Sequence, residues 1–312
     1  MTEHDEIGKF DVGALRDEVN LIIQVRGLKQ SAVARESGLS SAVISRFLLG
    51  RYDGDNAAVA AKLLAWKETL SLKDSVPASL VRAHGFVGTS ASARIFRGLH
   101  LAHIQADFVL VFGAPGVGKT ATLENYQKVG SNVWLATMSP DASGKVPMLQ
   151  ELGLALGLTL SGGAAVMRRA IVARVKDTSG LIIVDEAQHL DGNALDELRC
   201  IHDMAKIGML LCGNPLLNDR VGSLPQVNSR IGKREKLGRP SRPDVALLAD
   251  QFGIAGREEL EFLHTISQHP GGLRCVIKTI RLSLLSSSGE DAPIGLKHLA
   301  AAWSELGLEA RI

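Results

Sequence analysis

An α/β fold, built on a parallel sheet with helices around it, is predicted for this 312-residue chain by three stretches. The first is Phe108-Val-Leu-Val-Phe-Gly113-Ala114-Pro115-Gly116-Val117-Gly118-Lys119-Thr120: an apolar run of strand length, a glycine-rich turn, then Lys-Thr opening a helical spacing. The second is Leu181-Ile-Ile-Val-Asp185-Glu186, four aliphatics ending in two carboxylates. The third is Gly208-Met-Leu-Leu-Cys-Gly213-Asn214, a further apolar run ending in a polar side chain. Runs apolar on both faces read as central strands of a parallel sheet, whose ligands bind at the C-terminal strand edge.

Composition sets outer limits. Apolar residues make up 46% and charged residues 22%, with only 4% aromatic, so an aliphatic core is expected. The length suggests two or three domains. Net charge is +2, which leaves any nucleic-acid surface to local clusters of Lys and Arg. Cys200, Cys212 and Cys275 are odd in number and far apart, which fits a reduced cytosol. The opening Met1-Thr-Glu-His-Asp-Glu is acidic, and no apolar run approaches the roughly 20 residues that span a bilayer. A cytoplasmic protein without membrane contact is the expectation.

In chain order, residues 14–66 carry helical spacing with breaks at Gly27, Gly38 and Gly50-Arg-Tyr-Asp-Gly54. Within them, Ala34 allows a close helix crossing, Gly38 supplies a tight turn four residues later, and Ile44 anchors a second helix. That spacing resembles the helix-turn-helix of phage-repressor-type DNA-binding domains. The resemblance implies a DNA-binding domain over residues 1–70, with Ser40 as N-cap, Ser41, Ser45 and Arg46 facing the groove, and Lys29 and Arg51 near phosphates. No Asn or Gln follows Gly38 in the second helix, so readout of base edges is expected to be weak. An ordinary three-helix domain used for protein contacts has the same pattern. Residues 71–92, with Pro77, Gly85 and Gly88, read as a linker, and residues 93–106 as a helix preceding the first strand.

The glycine-rich turn at 113–118 reads as a phosphate-binding loop. Glycines allow the backbone to wrap an anion so that successive N–H groups and the helix N-terminus face it. Lys119 would reach the β- and γ-phosphates of ATP, and the Thr120 hydroxyl would ligate Mg²⁺. A second strand is expected at 132–137, and helices at 147–158, 164–176 and 193–206. Asp185 would complete the Mg²⁺ shell and Glu186 would polarise the water that attacks the γ-phosphate. Two solvated acids at a strand end, or an Asn-Pro turn after residue 213, would look similar in isolation.

Strand, phosphate loop, helix, strand, helices, acidic strand, helix and Asn-ended strand follow in the order of the AAA+ ATPases, and the chain resembles that class. The resemblance implies that Asn214 helps position the attacking water. It also implies that one of Arg220, Arg230 and Arg234, with Arg230 preferred, acts in trans as an arginine finger, and that Arg274, after Gly271-Gly272, senses the γ-phosphate from a helical lid. Gly232-Lys233-Arg234-Glu-Lys236-Leu-Gly-Arg-Pro-Ser-Arg242 concentrates basic side chains suited to a DNA backbone, or forms a solvated loop. The expected core spans 93–222 and the helical lid 223–312, with helices at 245–251, 257–267, 273–286 and 296–306.

A repressor-like first domain, a linker, the phosphate loop with Asp185-Glu186-Ala-Gln and a small lid together resemble the ATPases that accompany transposases. That family implies an ATP-bound helical homo-oligomer on double-stranded DNA, with little sequence preference. It delivers the DNA as target to the transposase, stimulates strand transfer, and dissociates on hydrolysis. A helicase loader, or a transcriptional repressor whose phosphate loop is only structural, are the competing readings; the first would bind a replicative helicase, the second a discrete operator irrespective of ATP.

Overall fold

The computed structural model describes residues 11–75, 85–287 and 294–307. The acidic opening and Pro77 of the expected linker lie outside the described residues. The chain forms two compact units, Met1–Val81 and Arg82–Ile312.

The first unit contains α1 (Val12–Arg26), α2 (Gln30–Ser37), α3 (Ser41–Leu48) and α4 (Asn56–Ser75). Asp11 caps α1 by accepting from the Gly13 and Ala14 amides. Helix α2 ends at Gly38, whose φ of 67° is the left-handed turn foreseen there, and the Ser40 hydroxyl accepts from the Val43 amide to cap α3. Ala34, Ile44 and Phe47 are buried with Leu15, Val19, Leu63 and Trp66 in one core. Helix α4 continues past the expected boundary at residue 70 because Leu70 still packs into that core.

The second unit begins with α5 (Ser90–Gln105), started by a Thr89 cap. It continues through β1 (Phe108–Gly113), α6 (Lys119–Val129), β2 (Val133–Thr137), α7 (Lys145–Ala155), α8 (Ala164–Val175), β3 (Leu181–Asp185), α9 (Gly192–Ala205), β4 (Gly208–Gly213), α10 (Pro215–Gly222), α11 (Pro225–Asn228) and β5 (Ile231–Leu237). The strands pair in parallel in the order β2-β3-β4-β1-β5. Every residue of β1, β3 and β4 is buried, as the uninterrupted aliphatic runs require, because helices cover both faces of the sheet. Gly113, Asp185 and Gly213 therefore end neighbouring strands at one edge.

Residues 231–237 correct the expectation of a basic loop leading into an all-helical end. They form the edge strand, with Phe108 opposite Ile231 and Gly113 opposite Leu237. The sheet thus runs beyond residue 222, where the core was expected to stop. Glu235 and Leu237 are buried while Gly232, Arg234 and Lys236 are exposed, a period-two pattern masked by charge. Charged side chains on an edge strand discourage pairing with other chains.

Four helices complete the unit: α12 (Arg242–Asp250), α13 (Arg257–Ser267), α14 (Leu273–Ser286) and α15 (Leu296–Glu305). Val245, Leu263, Ile266, Val276, Ile280, Leu299 and Trp303 form their core, and Val87, ahead of α5, packs against it. The join is fixed by Asp244, only 2% exposed. Its carboxylate accepts from the amide and hydroxyl of Ser90 and from the amide and hydroxyl of Ser241. Burial by itself raises this carboxyl, but the four hydrogen bonds outweigh it and hold the pKa below the ordinary value.

Asp244→Asn is expected to destabilise the protein by about 1–3 kcal/mol at neutral pH, since an amide cannot accept all four bonds. A depressed carboxylate contributes stability above its unfolded pKa of about 3.9 and loses it as pH falls through the folded value. Melting curves of wild type and variant between pH 7 and pH 3 should therefore keep their separation above about pH 5 and converge in acid.

Candidate nucleotide site

The phosphate loop fills the gap between β1 and α6. Gly116 and Gly118 take φ values of 79° and 93°, which turn the backbone sharply. The Lys119 side chain is buried inside the loop, its Nζ donating to the carbonyls of Gly113 at 2.9 Å and Ala114 at 3.0 Å. Val117 is buried and anchors the loop against the core face that includes Leu123, Tyr126 and Cys212. Pro115, together with Ala114, forms the exposed start of the turn.

Two oxygen donors lie side by side next to the loop. Thr120 Oγ1 donates to Asp185 Oδ2 at 2.7 Å, while Asp185 Oδ1 accepts from the Glu186 amide at 2.9 Å. A hydroxyl and a carboxylate this close provide the hard oxygen chemistry that Mg²⁺ selects. Burial, with the Asp185 carboxylate beside it, pushes the Cys212 thiol well above its ordinary value, so Cys212 is a packing residue here.

Glu186 is half-buried and has a φ of 52°, a left-handed conformation unusual for a side chain other than Gly, Asn or Asp. Such strain persists only when surrounding contacts over-determine it, and it concentrates at functional positions. Those contacts come from the turn at Ala187–His189: Gln188 Nε2 donates to the Glu186 carboxylate, and Gln188 Oε1 accepts from the Asn214 amide at 3.1 Å. Asn214 Oδ1 caps α10 by accepting from the Leu216 amide at 2.9 Å, so the Asn-Pro turn weighed from the sequence is present. Capping engages the oxygen of that side chain rather than its NH₂.

The three arginines have separate places. The Arg220 guanidinium donates to the carbonyls of Gln188, at 2.7 Å, and Leu190, within its own chain. Arg230 pairs with Asp203 at 3.0 Å while remaining half exposed, and it precedes β5 at the opposite edge of the sheet from the phosphate loop. Arg199 holds the same aspartate from the other side, and the two guanidinium groups together keep the Asp203 carboxyl low against the effect of burial. Arg234 donates to the side-chain oxygens of Asn218, at 2.8 Å, and Asn228.

Arg274 is exposed in the first turn of α14, and its approach to the phosphate loop is set by backbone. Leu273 N donates to the Gly116 carbonyl at 2.9 Å, which docks the Gly271-Gly272 turn onto the loop. Among the residues expected to meet DNA, Ser41 and Arg46 are exposed and Ser45 is half-buried on α3. On β5, Lys233 pairs with Glu235 at 3.4 Å and Lys236 is exposed. Glu235 is also held by Arg94, so part of the local basic charge is neutralised within the chain.

Sequence reading missed the part played by Gln188 and the docking of Gly271-Gly272 on Gly116. The Asp-Glu-Ala-Gln motif contained the first signal. The second had none, since a backbone–backbone contact over more than 150 residues leaves no mark on residue type.

Comparison with known proteins agrees with this architecture. A family model described as AAA domain matches residues 103–221, and one described as Mu B transposition protein, C terminal, matches residues 229–306. Among solved structures, the Aeropyrum pernix ORC2 protein in its ADPNP-ADP complexes shares 18% identity with a TM-score of 0.56, covering 73% of this chain and 71% of that one. The Aeropyrum pernix ORC1 protein in complex with DNA shares 16% at a TM-score of 0.53, covering 73% and 68%. At these identities the likeness concerns the fold.

The curated relatives are nearer. The ATP-dependent target DNA activator B of Escherichia phage Mu is 31% identical over 310 residues, covering 97% of this chain and 98% of its own. The Mu-like prophage FluMu DNA transposition protein B of Haemophilus influenzae is 35% identical over 262 residues, covering 81% and 90%. With an AAA+ core whose strand ends converge on a phosphate loop, and with this similarity over nearly its whole length, the chain belongs to the family of phage Mu B transposition proteins.

Proposed function

We propose that this chain is an ATP-dependent DNA-binding ATPase that assembles on duplex DNA with little sequence preference, presents it as target to a transposase and stimulates strand transfer. The observation that carries the reading is the contact of Thr120 with Asp185 beside the phosphate loop, which joins the two halves of an ATP site at one strand edge. The relatives' printed names, target DNA activator and DNA transposition protein, supply the DNA and the transposition setting.

ATP would lie with its phosphates against the amides of residues 113–118, and the Lys119 ammonium among the β- and γ-oxygens. Thr120 and Asp185 would hold Mg²⁺, which neutralises phosphate charge. Glu186 takes a proton from the attacking water, whose oxygen bonds to the γ-phosphorus as the bond to the bridging oxygen breaks, giving ADP and phosphate. The Asn214 NH₂ helps place that water.

Arg230 of one copy, released from Asp203, would reach the γ-phosphate of a neighbouring copy in a filament, and Arg274 would contact it from above. Removal of the γ-phosphate withdraws the anion that both copies share, and DNA affinity falls with it. DNA contacts are assigned to Ser41, Ser45 and Arg46 and to the Lys233, Arg234 and Lys236 strand. Among the described residues no helix is long and apolar enough to cross a membrane.

Lys119→Ala tests the nucleotide dependence. ATP affinity should fall at least about 100-fold, since a charge-assisted partner of two phosphates is lost from a buried site. ATP-dependent protection of unrelated duplexes, read by footprinting and electron microscopy, should disappear with it. Protection that persists in the variant, or that ignores nucleotide in the wild type, would overturn the reading.

A further inference from the structure

We propose that Gln188 is a positioning residue that sets Glu186 and Asn214 in register with one another, so that the water between them meets both groups at once. The inference rests on the ATPase reading above and names a residue that acts through its two neighbours.

The side-chain amide of Gln188 is used at both ends. Its NH₂ donates to Glu186 Oε2 and its oxygen accepts from the Asn214 amide at 3.1 Å. Glu186 follows β3 and Asn214 follows β4, so this one side chain spans the ends of two adjacent strands. Its backbone is fixed as well, because Arg220 of α10 donates to the Gln188 and Leu190 carbonyls.

Space for the bridge is provided by a glycine. A Cβ on Gly213 would lie 2.5 Å from Gln188 Oε1 and 2.9 Å from Leu217, so any larger residue there would displace the amide. The glutamine amide presents a donor toward Glu186 and an acceptor toward the Asn214 main-chain amide from the two ends of one planar group. Glutamate would keep the acceptor for Asn214 but set a second carboxylate against Glu186, and alanine would remove both contacts.

Substitution of a residue that only orients others should lower the rate and spare ground-state binding, because misplacement by about 1 Å is felt at the transition state. The full-length protein with duplex DNA is assayed for steady-state ATP hydrolysis, for binding of a fluorescent ATP analogue and for melting temperature. Gln188→Ala should lower kcat about 10-fold with the KM for ATP within twofold, and Gln188→Glu about 100-fold, both melting within about 2 °C of wild type.

A kcat for both variants within twofold of wild type overturns the proposal. So does a fall in kcat that comes with a matching loss of ATP binding and of melting temperature, which is the signature of a merely structural residue. Glu186→Gln run in parallel separates the two levels. If that variant hydrolyses ATP normally, the role of Glu186 fails and the proposal with it, whereas an inactive Glu186→Gln beside a normal Gln188→Ala removes the proposal alone.

Discussion

Glu186→Gln is expected to bind ATP within about twofold of wild type, to hydrolyse it about 10²–10⁴-fold more slowly, and to remain assembled on DNA. Glutamine matches glutamate in size and retains a carbonyl oxygen to accept from Gln188, so the left-handed turn at 186 and the bridge to Asn214 survive. What is lost is the capacity to accept a proton from water. Under the proposed function, binding is assigned to the loop amides, Lys119 and the Thr120–Asp185 pair, none of which the substitution touches. Steady-state hydrolysis together with the dissociation rate from duplex DNA in ATP reads both effects. A variant that leaves DNA as fast as wild type would show that the water is activated by some other group.

Gly116→Ala is expected to weaken ATP binding by about 10-fold or more, an effect of about 1–3 kcal/mol. Two costs arise, the first on the stability of the fold and the second on the loop's approach to nucleotide. At a φ of 79° an alanine carries the penalty of a left-handed backbone, about 1–2 kcal/mol. Its Cβ would also lie 1.7 Å from the Gly271 carbonyl oxygen and 2.4 Å from the carbonyl carbon, which are backbone atoms and cannot rotate aside.

Relief requires either that the loop shift away from the position its amides need, or that the Gly271-Gly272 turn undock and break the bond from Leu273 N to the Gly116 carbonyl. Both displace groups expected to meet the γ-phosphate. Gly157→Ala isolates the first cost, because Gly157 has a φ of 73° with open space around it. Titration of a fluorescent ATP analogue should place Gly157→Ala near wild type and Gly116→Ala far from it. Equal affinities would mean that the docking of the turn on the loop does not matter to the nucleotide.

Much of the nucleotide site was open to reading in the chain because its parts are local. A phosphate loop needs a strand, glycines, a lysine and a threonine within about a dozen residues, so 108–120 announced itself. Asp185 and Glu186 were legible as the polar end of an aliphatic strand, and Asn214 likewise, because a strand buried on both faces leaves its chemistry only at the tip. The helical ends were legible from spacing and turns, as with Gly38 between α2 and α3.

Residues 231–237 were not, since an edge strand has one solvent-facing margin and its Lys-Arg-Glu-Lys run reads as a charged loop. By itself, then, the sequence determined four of the five strands, the phosphate loop and the pair of acids, each specified by neighbours in the chain. Only the tertiary structure decided that Gln188 spans two strand ends, that Arg220 holds the turn carrying Glu186, and that Gly271-Gly272 rests on Gly116. Those contacts join residues 26 to more than 150 positions apart, each with a main-chain amide or carbonyl on at least one side, so they depend on where the packed core places the backbone and not on the order of side chains alone.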